Sequence, residues 1–116
     1  MKQVLIADDH FGICQAMKLL FEKRIPGCIV AISHTLDETI DILHENEPDV
    51  LVIDADLPGL ETEDKIILLR KHFPHGLIVF SSTKPETSAM VVGGEDVLFF
   101  DKSSPSEFLL QLLPKE

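Results

Sequence analysis

Four short, unbroken apolar runs constrain this chain more than any other feature, because each one closes on a polar residue. They are Val4-Leu5-Ile6-Ala7 before Asp8, Val50-Leu51-Val52-Ile53 before Asp54, Leu77-Ile78-Val79-Phe80 before Ser81, and Val97-Leu98-Phe99-Phe100 before Asp101 and Lys102. A run of this length without polar alternation is expected of a strand covered on both faces. A fifth strand is predicted from Cys28 to Ile32. Between the runs lie segments with helical spacing. Phe11 to Arg24 places Ile13, Ala16, Met17 and Leu20 on one face, and Pro26-Gly27 ends it. Thr35 to Asn46 lines up Leu36, Ile40 and Leu43, and Glu63 to Phe73 turns Ile66, Leu69 and Phe73 inward. A last helix is predicted with Ser103 or Ser104 as its cap, stacking Phe108 on Leu112 and Leu109 on Leu113. The segment from Pro85 to Gly94 carries Met90-Val91-Val92-Gly93-Gly94, so any helix there is short or poorly held.

Strands alternating with helices call for a parallel sheet with helices on both faces. A chain of 116 residues, 45% of them hydrophobic, suits one such domain over residues 1–116. Asp and Glu outnumber Lys and Arg by 20 to 10, for a net charge of −10. That balance argues against direct binding of nucleic acid, which needs clustered cations. The N-terminal apolar run is too short for a signal peptide or a membrane span, so a soluble, cytoplasmic protein is expected. Cys14 and Cys28 form no C-x-x-C pair and are read as reduced thiols.

In an open parallel sheet, ligands bind beyond the carboxyl ends of the strands. Asp8 and Asp9, Asp54, Ser81 and Lys102 all stand at such ends. Like charges about 4 Å apart repel by roughly 4 kcal/mol at an effective dielectric near 20, so a carboxylate cluster needs compensation. A hard divalent cation supplies it, and Mg²⁺ prefers oxygen ligands. With a lysine and a serine hydroxyl added, the set becomes a pocket for a phosphoryl group.

The stretches VLIADDH, DVLVIDADLPG, GLIVFSS and LFFDKSSPSEFL, which span nearly the whole chain, resemble the receiver domain of two-component response regulators. The ADDH opening and the KSSPSEFL segment look most like the NarL/FixJ-type branch, whose members usually carry a DNA-binding domain after the receiver. The resemblance implies a flavodoxin-like (CheY-like) α/β sandwich with strand order 2-1-3-4-5. It implies that Asp54 takes a phosphoryl group from a phosphohistidine on a sensor histidine kinase. Asp9 would bind Mg²⁺ directly and Asp8 through water, with Asp54 and the backbone carbonyl of Asp56 as further ligands. Lys102 would pair with a phosphoryl oxygen, and Ser81 would hydrogen-bond another and draw its loop inward. Phe99 occupies the place of an aromatic whose rotamer follows that loop. Dimerisation on phosphorylation is also implied. Such a chain is a signalling acceptor rather than an enzyme in its own right, although it catalyses its own phosphotransfer and dephosphorylation.

Other readings compete. Asp8 and Asp9 also suit a helix N-cap. Asp54-x-Asp56 resembles the nucleophile pair of haloacid-dehalogenase-type phosphatases, although those place it after the first strand. His10, His34, His44, His72 and His75 form neither H-x-x-x-H nor H-E-x-x-H and read as surface or loop residues, with His10 beside the acidic pair. Where the family often has Gly-Ala-x-Gly before the fifth strand, this chain has Glu95-Asp96-Val97-Leu98, and Thr62 and Glu63 replace a common glycine and a common apolar residue. These departures keep open a receiver-like interaction module that works without phosphorylation.

Overall fold

The computed structural model describes residues 3–62, 64–84 and 96–113. The weak helix expected from Pro85 to Gly94, and the departures at Glu63 and Glu95, lie outside the described residues. The elements run β1 (Gln3–Ala7), α1 (Phe11–Arg24), β2 (Ile29–Ser33), α2 (Leu36–Glu45), β3 (Val50–Asp54), α3 (Lys65–His72), β4 (Leu77–Ser82), β5 (Val97–Asp101) and α4 (Glu107–Leu112). The five strands form one parallel sheet in the order β2-β1-β3-β4-β5, the expected flavodoxin-like topology.

The apolar runs are buried on both faces because successive side chains alternate between two cores. Leu5, Leu51, Ile53, Ile78 and Phe80 point to the side of α2 and α3, where Leu43, Leu69 and Phe73 meet them. Val4, Ile6, Val52 and Val79 point to the other side, against Cys14, Met17 and Phe21 of α1 and Leu109 of α4. Each such side chain contributes about 1.5–3 kcal/mol on burial, so a one-residue slip of a strand would exchange both cores.

Three expectations shift. The inward face of α1 is Cys14, Met17 and Phe21, whereas Ala16 is exposed and Ile13 and Leu20 are half-buried. Phe21 fills the space beside the sheet that Leu20 was expected to fill, and this rotates the helix by about one residue. In α2, Thr39 takes a buried place beside Leu36 and Leu43, because its hydroxyl donates to the Thr35 carbonyl at 2.7 Å and meets Ser33 Oγ at 2.7 Å. The last helix starts at Glu107, with Ser106 in the cap position. Ser103 instead closes a turn, its backbone N–H and hydroxyl both donating to Asp101 Oδ1.

The loop after β3 is pinned at its tip. Gly59 has φ +97°, and a Cβ there would stand 2.8 Å from Leu36 Cβ, while the Leu36 N–H donates to the Pro58 carbonyl at 2.9 Å. Gly59→Ala would therefore combine an unfavourable backbone angle with a clash against the start of α2. A loss of about 2 kcal/mol is expected, read as a lower urea midpoint with unchanged slope.

Candidate functional site

Strand register brings the polar residues together. Ala7 pairs with Ile53, Asp54 with Ser81, and Ser82 with Asp101, so Asp8, Asp54, Ser81 and Lys102 meet at one edge of the sheet. Backbone bonds continue the ladder past the strand ends, from Asp8 N to the Ser33 carbonyl, from Ala55 N to that of Ser81 and from Lys102 N to that of Ser82, all at 3.0 Å.

The centre of the site is a buried ion triad. Lys102 Nζ lies 2.6 Å from Asp8 Oδ2 and 3.0 Å from Asp54 Oδ2, and the three side chains are 7%, 2% and 4% exposed. Asp54 Oδ1 accepts the Asp56 N–H at 2.9 Å, which fixes the carboxylate plane and leaves Oδ2 facing the lysine. Asp8 Oδ1 accepts from the His10 N–H at 2.9 Å and meets the His10 ring at Nδ1, 2.8 Å away. Asp8 Oδ2 faces the Lys102 ammonium as its close ionic partner.

Burial alone would raise the Asp8 pKa, but Lys102 and His10 outweigh it and hold the group below the ordinary carboxylate value. Burial likewise disfavours the Lys102 ammonium, yet Asp8 and Asp54 raise its pKa above the ordinary lysine value. Asp8 also raises the His10 pKa. Cys14, whose Sγ contacts the Asp8 carbonyl, is pushed up to about 11 by burial and by Asp8, so it is a packed thiol rather than a nucleophile. Both cysteines are free.

A cavity of about 300 Å³ opens over the triad, lined by Asp9, His10, Ile13, Asp54, Asp56, Thr83 and Lys102. Asp9 and Asp56 stand at its rim, partly exposed. Ser81 is buried beside Asp54 and does not line the cavity, whereas Thr83 does. Phe99 pairs with Phe80 and is half-buried on the α2 and α3 side. His10 Nδ1 reaches Asp9 Oδ1 at 3.2 Å and Asp54 Oδ2 at 3.8 Å, so one histidine read as a loop residue joins the acidic set. Only its adjacency to Asp8 and Asp9 hinted at this. The ligand atoms of Asp8, Asp9, His10 and Asp54 all lie within 4.8 Å of one another. Three carboxylates against one ammonium, with the ligand atoms of Asp8, Asp9 and Asp54 close together, fit a divalent cation with oxygen ligands.

A family model for the response regulator receiver domain matches residues 4–111. The chain belongs to this family. The receiver domain is 26% identical over 112 residues to the transcriptional regulatory protein YdfI of Bacillus subtilis (strain 168), covering 93% of this chain and 52% of that protein. The chain spans about half the length of the curated relatives it matches. The receiver also superimposes on a two-component response regulator of the LuxR (NarL/FixJ-like) family from Aurantimonas sp. SI85-9A1, with TM-score 0.77, 24% identity and coverage of 94% of this chain and 79% of the other. A response regulator from Burkholderia pseudomallei, solved with a phosphorylated aspartic acid, a calcium ion and citrate, matches with TM-score 0.78 and 21% identity over 99% of this chain and 68% of the other. Family membership sets aside the dehalogenase-type reading. No helix among the described residues of this receiver is long and apolar enough to cross a membrane.

Proposed function

We propose that this receiver domain, taken as residues 1–116, accepts a phosphoryl group on Asp54 from the phosphohistidine of a sensor histidine kinase in the cytoplasm. The observation that carries the reading is the buried Asp8–Lys102–Asp54 triad beneath the cavity. Asp54 Oδ2 is the oxygen not held by a backbone N–H, and it attacks phosphorus as the phosphorus–nitrogen bond to the kinase histidine breaks. Lys102 exchanges part of its pairing with Asp54 for a phosphoryl oxygen. Asp9, Asp54 and the Asp56 carbonyl would hold Mg²⁺, with Asp8 acting through water, and the charge supplied by a bound ion would offset that of the phosphoryl oxygens. Ser81 turns toward the product. The related structure with a phosphorylated aspartate and calcium supports both the acceptor and the metal.

The domain thus promotes its own phosphorylation and dephosphorylation, and its output is a change in association, a homodimer included. The transcriptional relative supports output through a DNA-binding domain outside this segment. Beryllofluoride, a mimic of the aspartyl phosphate, tests the reading. With MgCl₂ it should shift the amide resonances of Asp54, Ser81 to Thr83 and Lys102, and Asp54→Ala should abolish the shifts. Identical spectra with and without the mimic would reject the acceptor reading and favour an interaction module independent of phosphorylation.

A further inference from the structure

A lysine at the mouth of the cavity stands apart from the buried triad. Lys84 Nζ lies 3.3 Å from Asp56 Oδ2, and the two side chains are 57% and 53% exposed. Asp56 belongs to the loop after β3 and Lys84 to the turn after β4, so the pair ties two loops together beside the cavity. The turn is itself fixed, because the Lys84 N–H donates to Ser82 Oγ at 2.9 Å and Ser82 is buried. Lys84 therefore follows directly on Thr83, which lines the cavity together with Asp56. We propose that Lys84 is a positioning residue for the phosphoryl donor. It offsets the Asp56 carboxylate at the mouth and draws the donor's anionic phosphoryl group in over Asp54. The inference rests on the acceptor reading and adds to it the way in which the donor is admitted.

Charge sets the need. Asp9, Asp54 and Asp56 line the cavity, Asp8 is buried beneath it, and the arriving donor is an anion too. Lys102 is 7% exposed and already holds Asp8 and Asp54, so it meets the phosphoryl group only once that group has entered. At the rim, Asp9 faces the His10 ring at 3.2 Å and Asp56 faces Lys84. Exposed charges act on each other within a Debye length, about 10 Å at 0.1 M salt, so an Asp56 carboxylate without its lysine would repel the donor along its path.

The exposure of the pair suits this role better than a role in folding. An ion pair so open to water contributes little to stability. Its ammonium is reached from solvent on a flexible stem, and it carries three N–H donors. One donor can stay on Asp56 while another meets a phosphoryl oxygen.

The test is the second-order rate constant for phosphorylation of the full chain in saturating MgCl₂, read by intact mass. Two donors are compared at neutral pH, dianionic acetyl phosphate and monoanionic phosphoramidate. In both reactions Asp54 Oδ2 forms the new bond to phosphorus, while the bond to acetate or ammonia breaks and that group leaves. Lys84→Gln should slow the acetyl phosphate reaction about three- to tenfold, at the low end of electrostatic steering, and the phosphoramidate reaction less. Lys84→Arg should keep the wild-type rate with both donors, since it keeps the charge. The loss in Lys84→Gln should shrink as NaCl is raised, because exposed charges are screened. Equal rates for wild type and Lys84→Gln, or one loss shared by both donors and insensitive to salt, would overturn the inference and leave the acceptor reading standing. A wild type that takes up no phosphoryl group from either donor would overturn both.

Discussion

Lys102→Ala should destabilise the domain by about 3–5 kcal/mol, the usual cost of removing one partner from a buried ion pair. The ammonium is the close cation for two buried carboxylates, 2.6 Å from Asp8 and 3.0 Å from Asp54. Without it they face each other in a medium that screens poorly. The loss should appear as a lower urea midpoint at unchanged slope. Asp8→Asn in the Lys102→Ala background should recover part of it, by removing one of the two unpaired charges. Saturating Mg²⁺ should recover part as well, by supplying the missing charge to the native state. A Lys102→Ala protein as stable as wild type would mean that the triad is not the electrostatic centre of the fold.

The triad also sets the pH range of that stability. Asp8 has a lowered pKa, so its contribution is full above the ordinary carboxylate value of 3.8 and disappears as pH falls through the lowered one. Lys102 has a raised pKa, so its contribution is full below 10.5 and is lost as pH rises through the raised value.

The second large effect is expected at Asp9. This carboxylate sits at the cavity rim, 44% exposed, and has no lysine partner among the described residues. Asp9→Asn should weaken Mg²⁺ binding at least tenfold, a loss of about 1.4 kcal/mol or more, because it removes a charged ligand. Stability without metal should hold or rise, since one like charge leaves the cluster. Calorimetric Mg²⁺ affinity equal to wild type would reject Asp9 as a direct ligand.

The sheet and the site edge were legible because both rest on features that burial enforces. Continuous apolar runs such as Val50–Ile53 admit few arrangements, and strand register then carries Asp8, Asp54, Ser81 and Lys102 to one edge without further information. What escaped depends on contacts that spacing does not encode. The inward face of α1 is chosen by the bulk of Phe21 and by the Cys14 contact to the Asp8 carbonyl, and a helix dense in apolar residues offers two candidate faces. The serines of Ser103-Ser104-Pro105-Ser106 are each plausible caps, and the turn that Ser103 closes with Asp101 moves the helix start to Glu107. His10 joins the carboxylates through a ring orientation set by Asp8. The His44–His72 contact joins residues 28 apart on separate helices, a pairing only tertiary packing creates.

The central claim is most directly tested by intact-mass and peptide mass spectrometry after incubation with acetyl phosphate and MgCl₂. Wild-type protein should gain the mass of one phosphoryl group on the peptide containing Asp54, and Asp54→Ala and metal-free samples should gain none. A wild type that stays unmodified, or modification at another residue that persists in Asp54→Ala, would contradict the account.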